Sequence, residues 1–572
     1  MPKIEVYRKT LYSYLGFELS IEELEELLTV AKAEIDEIDE ADGILKIELN
    51  DTNRPDLWST AGLARQLRSF RTGGGAEKYD FFSSGDETKS SGDRAVVVDE
   101  NIRPYRPYVA AFAVTGKAID EPSLKDLIQT QEKLCGNFGQ KRKSIAMGVY
   151  RNDLIQYPVR YRGADPATTR FVPLQMDREM SLTEILSEHP KGRDFASIIE
   201  TFPLYPYIED SRGEVLSMPP IINSAHLGAV EVGDDNLFIE MTGTNLSSLQ
   251  LAISIVACDL ADSGYTILPV ETKYPYDTEF GRSVVSPYYF QDSIEAGYES
   301  IEKMLGLNFG SNDIAEALSR MGLAAEDDGK RVAVRVPPFR NDFLHPVDLI
   351  EDIMIGHGMD SFEPIMPSDY TAGRLTPEEH FGRSVKNIMI GMQFQEMIYG
   401  YLGSGKDFVE RMRISEKELV RIANPMTENY EYVRNSILPS LLGTEAVSGH
   451  AAFPHAVFEI GKIARVDPDD NQGSVTRNYL GFLVSDRAIG FNEASAHVRV
   501  LFYYLNFEYE LAESDDPRYI PGRCATIESG GESVGVLGEI HPEVLERWGV
   551  TMPCAACEVD LDHLTTIRSS AT

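Results

Sequence analysis

A double proline followed shortly by a third proline places one helix of this chain before any other element can be placed. The stretch from Val336 to Asp360 reads VPPFRNDFLHPVDLIEDIMIGHGMD. Pro337 and Pro338 close the extended run Arg331 to Val336, and Pro346 sits where a helix start tolerates proline because the missing N–H had no partner anyway. The spacing predicts a helix from Pro346, stopped by Gly356 and Gly358. Leu349, Ile350, Ile353 and Met354 share one arc, and Asp348, Glu351 and Asp352, at i, i+3 and i+4, share the opposite one. With Asp342 just upstream, four carboxylates can converge, and no Lys or Arg lies inside the helix to neutralise them. Hard oxygen ligands of this kind suit magnesium. The competing reading is a solvated acidic face, since 91 of the 572 residues are Asp or Glu.

That acidity also limits partners. The formal net charge of −37 rules out a broad phosphate-binding surface, so any RNA contact must be local. The longest apolar run, around Leu249 to Ala261 and interrupted by Ser254, is too short for a membrane span. MPKIEVYRK at the start lacks the apolar stretch of a signal peptide, and five cysteines, an odd number, argue for a reducing compartment; the expected location is the cytoplasm. Cys554 and Cys557 form a lone C-x-x-C without a second pair, and read as small buried thiols rather than half a zinc site.

Taken in order, the chain reads as a multidomain α+β protein. Residues 1–71 form an α/β module whose turn Asn53 to Asp56 precedes a helix with Arg65, Arg68 and Arg71 at every third position, either a solvated basic face or a phosphate or partner contact. Residues 72–93 are Gly-, Ser- and charge-rich and read as a linker. Residues 94–271 form a mixed α/β domain with strands at 95–98, 108–114 and 145–149 and helices near 123–134 and 246–260. Within it Lys141, Arg142 and Lys143 make the one dense basic cluster, a candidate contact with an RNA backbone. Residues 272–370 are a helical module containing the acidic helix, and 371–572 close the chain.

The chemically telling string is SMPPIINSAHLGAVEVGDDNLFIEMTGTNL. Glu240 and Thr242 lie on one face of a strand ending at Gly243, and Ser217, Asn223 and Ser224 supply short polar groups around PPIIN. No Ser-His-Asp order or metal triplet accompanies them.

Four strings, TNRPDL, FIEMTGTN, PPFRND with DLIED, and FEIGK with GEIHPEV, resemble in order the beta-chain family of phenylalanyl-tRNA synthetase, archaeal and eukaryotic type. The resemblance implies that 94–271 is an editing domain that binds tRNA and hydrolyses tyrosine misattached to tRNA(Phe). Glu240, Thr242 and Ser217 then correspond to the pocket residues of that family, Glu240 being longer than the aspartate some members carry. Glu240 would accept the tyrosine hydroxyl, and Ser217 or Asn223 would hold the ester and a water, with the tRNA itself available as base. The resemblance further implies that Asp342, Asp348, Glu351 and Asp352 hold magnesium near the alpha chain and that 272–370 is winged-helix-like. Residues 371–572 become a class II synthetase-like antiparallel-sheet domain, echoed by Asn424, Pro425, Arg434 and Phe458 to Lys462. It lacks the ATP-holding motifs, so ATP is used by a catalytic alpha subunit in an alpha2beta2 heterotetramer. A non-editing subunit that only scaffolds the alpha chain is the alternative.

Overall fold

In the computed structural model, residues 2–85 and 87–570 are described, Ser569 and Ser570 by backbone alone. The chain divides into two compact units, Met1–Ile365 and Met366–Thr572.

The first unit begins with strands Lys3–Tyr7, Ala33–Asp39 and Ile44–Leu49, antiparallel with Ile44–Leu49 in the centre. Helix Ile21–Leu28 starts in a capping box, Ser20 and Glu23 each satisfying the other's backbone N–H. Helix Thr60–Thr72 is held at its start by the Ser59 hydroxyl, which accepts from the Gly62 N–H. Its apolar side joins a core that continues without a break into the next domain, where the nearly all-buried helix Leu246–Asp262 packs. Residues 72–93 are therefore more than a tether: the described residues beyond Thr72 carry no helix or strand, yet Tyr79, Phe81 and Phe82 pack on this core.

The second domain is built on a ten-stranded sheet whose path runs from Ile222–Asn223 and Val215–Met218 at one end to Leu237–Gly243 and Ile145–Arg151 at the other. The sheet curls until its ends meet. Asn223 Nδ2 donates to the Val149 carbonyl at 3.4 Å, and the Arg151 N–H to the Leu227 carbonyl at 3.0 Å. The strands expected at 95–98, 108–114 and 145–149 are Ala95–Val98, Tyr108–Thr115 and Ile145–Arg151.

Next comes a three-stranded sheet of Ser293–Gly297, Arg331–Arg335 and Ala325–Asp327, with helices Tyr298–Leu305, Ser311–Arg320 and Pro346–His357 around the Leu318, Leu349 and Ile353 core. The last helix starts at Pro346 as its sequence requires. It runs through Gly356, because a Cβ there would lie 2.0 Å from the Ala317 carbonyl; this glycine serves helix-to-helix approach, and Gly358 is the cap.

The second unit is a seven-stranded sheet, antiparallel except where the short Gln395–Glu396 joins its edge. Helices Pro377–Gly391, Phe491–Leu505 and Leu561–Ser570 cover one face, and Leu438–Val447 and Pro542–Trp548 pack in a second core. Cys554 and Cys557 are free and buried on strand Cys554–Asp560. Among the described residues no helix is long and apolar enough to cross a membrane.

Candidate functional site

Strand Leu237–Gly243 lies between Tyr108–Thr115 and Ile145–Arg151, and puts Glu240 opposite Ala111 on one side and Gly148 on the other. Two small neighbours leave space beside the carboxyl. A third side chain fills part of it. Tyr150, two residues beyond Gly148 and so on the same face, donates its phenol hydrogen to Glu240 Oε1 at 2.7 Å. The phenol oxygen also lies 3.4 Å from Asn223 Oδ1, across the closure of the sheet. Ser217 pairs directly with Asn223 in the neighbouring ladder. The fold therefore brings Glu240, Ser217 and Asn223 together, as the sequence suggests, and adds Tyr150.

Glu240 is 3% exposed and Ser217 2%. Burial pushes the Glu240 carboxyl up to about 7, although the Tyr150 hydrogen bond and the Arg106 charge favour its ionised form. Glu240 Oε2 and the Ser217 hydroxyl are both buried without a hydrogen-bond partner. Such groups cost free energy unless something fills the position, and here two of them lie beside the same Tyr150 phenol.

Thr242, fully buried, is held differently. Its hydroxyl accepts from Arg106 Nε at 2.8 Å and its carbonyl from Nη2 at 2.6 Å, while Nη1 reaches the Arg142 and Lys143 carbonyls. Thr242 thus ties the strand to the basic loop. That loop differs from the expected three-residue patch, because Arg142 turns inward. Its Nη1 donates to the Pro220 and Ile221 carbonyls and its guanidinium stacks on Phe195, so it braces the hairpin carrying Ser217 and Asn223. Lys141 and Lys143 remain exposed.

Sequence reasoning missed Tyr150 and Arg106. A usable signal for the first was the Gly148-x-Tyr150 alternation in an otherwise apolar strand, since glycine inside a strand often marks close approach by another group.

The acidic helix corrects its expectation in detail, since its four carboxylates do not form one open cluster. Arg340, 2% exposed, pairs with Asp352 at 2.6 Å and with Asp342, and Arg54 stands 3.8 Å from Asp342. Burial works to raise the Asp342 pKa, but the two guanidiniums outweigh it and hold the carboxyl well below the usual carboxylate range. Asp348 Oδ2 turns back to accept the Leu344 and His345 N–H groups, both at 2.7 Å, and Glu351 takes Lys32 Nζ at 2.7 Å. The neutralising cations come from Lys32, Arg54 and Arg340, none of them in the helix. Among the described residues, no three His, Cys, Asp or Glu side chains converge as metal ligands. Asp342 and Asp352 do not fit a magnesium ion, because a guanidinium already stands in the cation's place.

The basic stripe of helix Thr60–Thr72 is corrected too. Arg65 is buried, pairs with Asp259 at 2.7 Å and Asp262 at 2.6 Å, and stacks on Phe339, so it joins elements rather than facing phosphate or solvent. In the second unit Arg434 is fully buried, doubly hydrogen-bonded to Glu459 and donating to the Lys462 carbonyl. No charge of that arginine is left for a nucleotide.

Profiles of known families match three segments: the Phe-tRNA synthetase beta subunit B1 domain over residues 1–73, the tRNA synthetase B5 domain over 294–359, and the phenylalanyl tRNA synthetase beta chain CLM domain over 363–561. The class is thus that of aminoacyl-tRNA synthetase subunits. Curated relatives include a phenylalanine–tRNA ligase beta subunit of Borrelia recurrentis (strain A1), 47% identical over 99% of this chain and 100% of that protein. One of Borreliella burgdorferi (strain ZS7) is 46% identical over 99% of each. A crystal structure of an N-terminal fragment of the phenylalanyl-tRNA synthetase beta subunit from Pyrococcus horikoshii superposes with a TM-score of 0.59 at 36% identity, covering 62% of this chain and all of the fragment. The chain belongs to the phenylalanine–tRNA ligase beta subunit family. The expected archaeal or eukaryotic type is not supported, because these curated relatives are bacterial.

Proposed function

We propose that this beta subunit edits: it hydrolyses tyrosine misattached to tRNA(Phe) in the pocket around Glu240. The observation that carries the reading is the pair of buried, unclaimed oxygens, Glu240 Oε2 and Ser217 Oγ, at the closure of the sheet. A cavity lined only by apolar groups cannot strongly reject a substrate for one extra hydroxyl, whereas a buried acceptor penalises the substrate that lacks it. Glu240 accepts the tyrosine phenol, Ser217 and Asn223 hold the ester and its attacking water, and Arg106 fixes Thr242 and the adjoining loop.

The subunit works with a catalytic alpha chain, which uses ATP, in an alpha2beta2 assembly that binds tRNA(Phe) in the cytoplasm. The guanidinium of Arg434, closed off by Glu459, supports placing nucleotide chemistry on the partner. In the assembled complex, Glu240→Ala should slow tyrosyl-tRNA(Phe) deacylation about tenfold or more, since a hydrogen bond to a charged group contributes about 1.5–3 kcal/mol. Phenylalanine charging should hold. Unchanged deacylation would leave the scaffolding role as the whole function.

Magnesium, if held by this helix, has only the outer pair: Asp348 Oδ1 and Glu351 Oε2 accept no hydrogen bond from the described residues. Magnesium keeps several waters and takes one or two carboxylates, which suits these two at a subunit contact. Asp348→Ala with Glu351→Ala should weaken assembly with the alpha chain and flatten its magnesium dependence, leaving tyrosine hydrolysis alone. Equal assembly across a magnesium titration would make them a solvated face.

A further inference from the structure

We propose that Tyr150 is the specificity-positioning residue of this pocket: by donating to Glu240 Oε1 it fixes the carboxylate and reserves Oε2 for the phenol of an incoming tyrosyl ester. This rests on the hydrolytic reading above.

A glutamate carboxylate is acceptor-only, with two oxygens on a broad terminal torsion, so alone it offers no aimed acceptor. Here one oxygen is taken at 2.7 Å and the other is buried and unclaimed. Tyr150 can hold that arrangement because it is itself immobilised. It is fully buried, its ring packs on Phe238 with centroids 6.1 Å apart, and its phenol oxygen lies between Glu240 and Asn223. The contact also demands the glycine beside it, since a Cβ on Gly148 would stand 2.1 Å from the phenol oxygen and 2.5 Å from Glu240 Oε1. A phenol has one hydrogen to donate, and Tyr150 gives it to Oε1. Oε2 therefore stays unsatisfied until a second phenol arrives. A phenylalanyl ester brings only carbon to that position and leaves the acceptor desolvated and unpaired.

The charged and titratable groups acting on Glu240 are Arg106, Tyr150, Tyr161 and Cys135. Of these, Tyr150 and Arg106 favour the carboxylate. Removing the phenol hydroxyl should thus raise the pH at which Glu240 ionises, a shift that lost packing alone would not give.

The experiment compares wild type, Tyr150→Phe and Glu240→Ala, each assembled with the alpha chain, in deacylation of tyrosyl- and phenylalanyl-tRNA(Phe) as a function of pH. Tyr150→Phe should lower the tyrosyl-over-phenylalanyl preference about tenfold, mainly through KM, and move the pH midpoint upward, with phenylalanine charging unchanged. Gly148→Ala, which forces the phenol off Oε1, should lower the preference in the same direction. If Tyr150→Phe keeps both preference and midpoint, or hydrolyses tyrosyl-tRNA faster because the phenol had been blocking the site, the proposal is overturned while the hydrolytic reading stands. If wild type and Glu240→Ala are equally inert toward tyrosyl-tRNA, both fall together.

Discussion

Replacing Arg340 by methionine should destabilise the first unit by about 3–5 kcal/mol, because it leaves Asp352 as a buried carboxylate without its ion-pair partner and Asp342 with Arg54 alone, 3.8 Å away. The guanidinium is 2% exposed and contacts both acids, so water cannot take its place. The loss should ease in acid. Without Arg340 the Asp352 carboxyl, already pushed up by burial, ionises less readily in the folded chain than in the unfolded one, so folding favours its neutral form and the deficit shrinks as pH falls toward its folded pKa. Urea unfolding of Arg340→Met against wild type at neutral and mildly acidic pH measures this. Equal midpoints at neutral pH would mean that the cluster is neutral or hydrated. Asp342→Asn with Asp352→Asn, added to the Arg340→Met variant, should restore most of the loss.

Glu240→Gln should gain stability relative to wild type as pH rises. The Glu240 carboxyl titrates near 7 in the folded protein, against an ordinary value of 4.5, and burial is the main cause. A raised folded pKa contributes stability that is complete below the ordinary value and is lost as pH climbs through the folded one. Wild type should therefore lose on the order of 3 kcal/mol between about pH 4.5 and 7 through this group, at about 1.4 kcal/mol per pKa unit, and Gln should not. The difference between the two melting curves, taken at mildly acidic and at alkaline pH, isolates the effect from other titrating groups. A pH-independent difference would show that Glu240 ionises normally.

How much of this was legible before folding follows the range of the interactions. Pro346, the apolar arc and the alternation around Glu240 are local signals, and the helix and strand formed where they point. Ser217, Asn223 and Glu240 could be grouped because a single string carries them. What the sequence hid are pairs far apart along the chain. Arg65 looked like part of a surface stripe because Asp259 lies 194 residues away, and Glu351 looked unpaired because Lys32 is 319 residues away. Charge spacing along one helix says which residues share a face, but not what that face meets. Tyr150 was half hidden: Gly148 in IAMGVYR signals a close approach by another group, but not that the Tyr150 hydroxyl reaches a carboxylate on the neighbouring strand.

The closure of the ten-stranded sheet has a mechanical consequence. Where strands are joined by a full ladder, enlarging the enclosed space means breaking a row of backbone hydrogen bonds. Here the Val149 carbonyl and the Tyr150 phenol meet the opposite end of the sheet through one amide, Asn223, each at 3.4 Å. Those two contacts are long and exchangeable with water or with an ester carbonyl. Asn223 is thus a latch rather than a rung: beside the firmer backbone bond from the Arg151 N–H to the Leu227 carbonyl it is the part of the closure that can let go while every strand pair keeps its register.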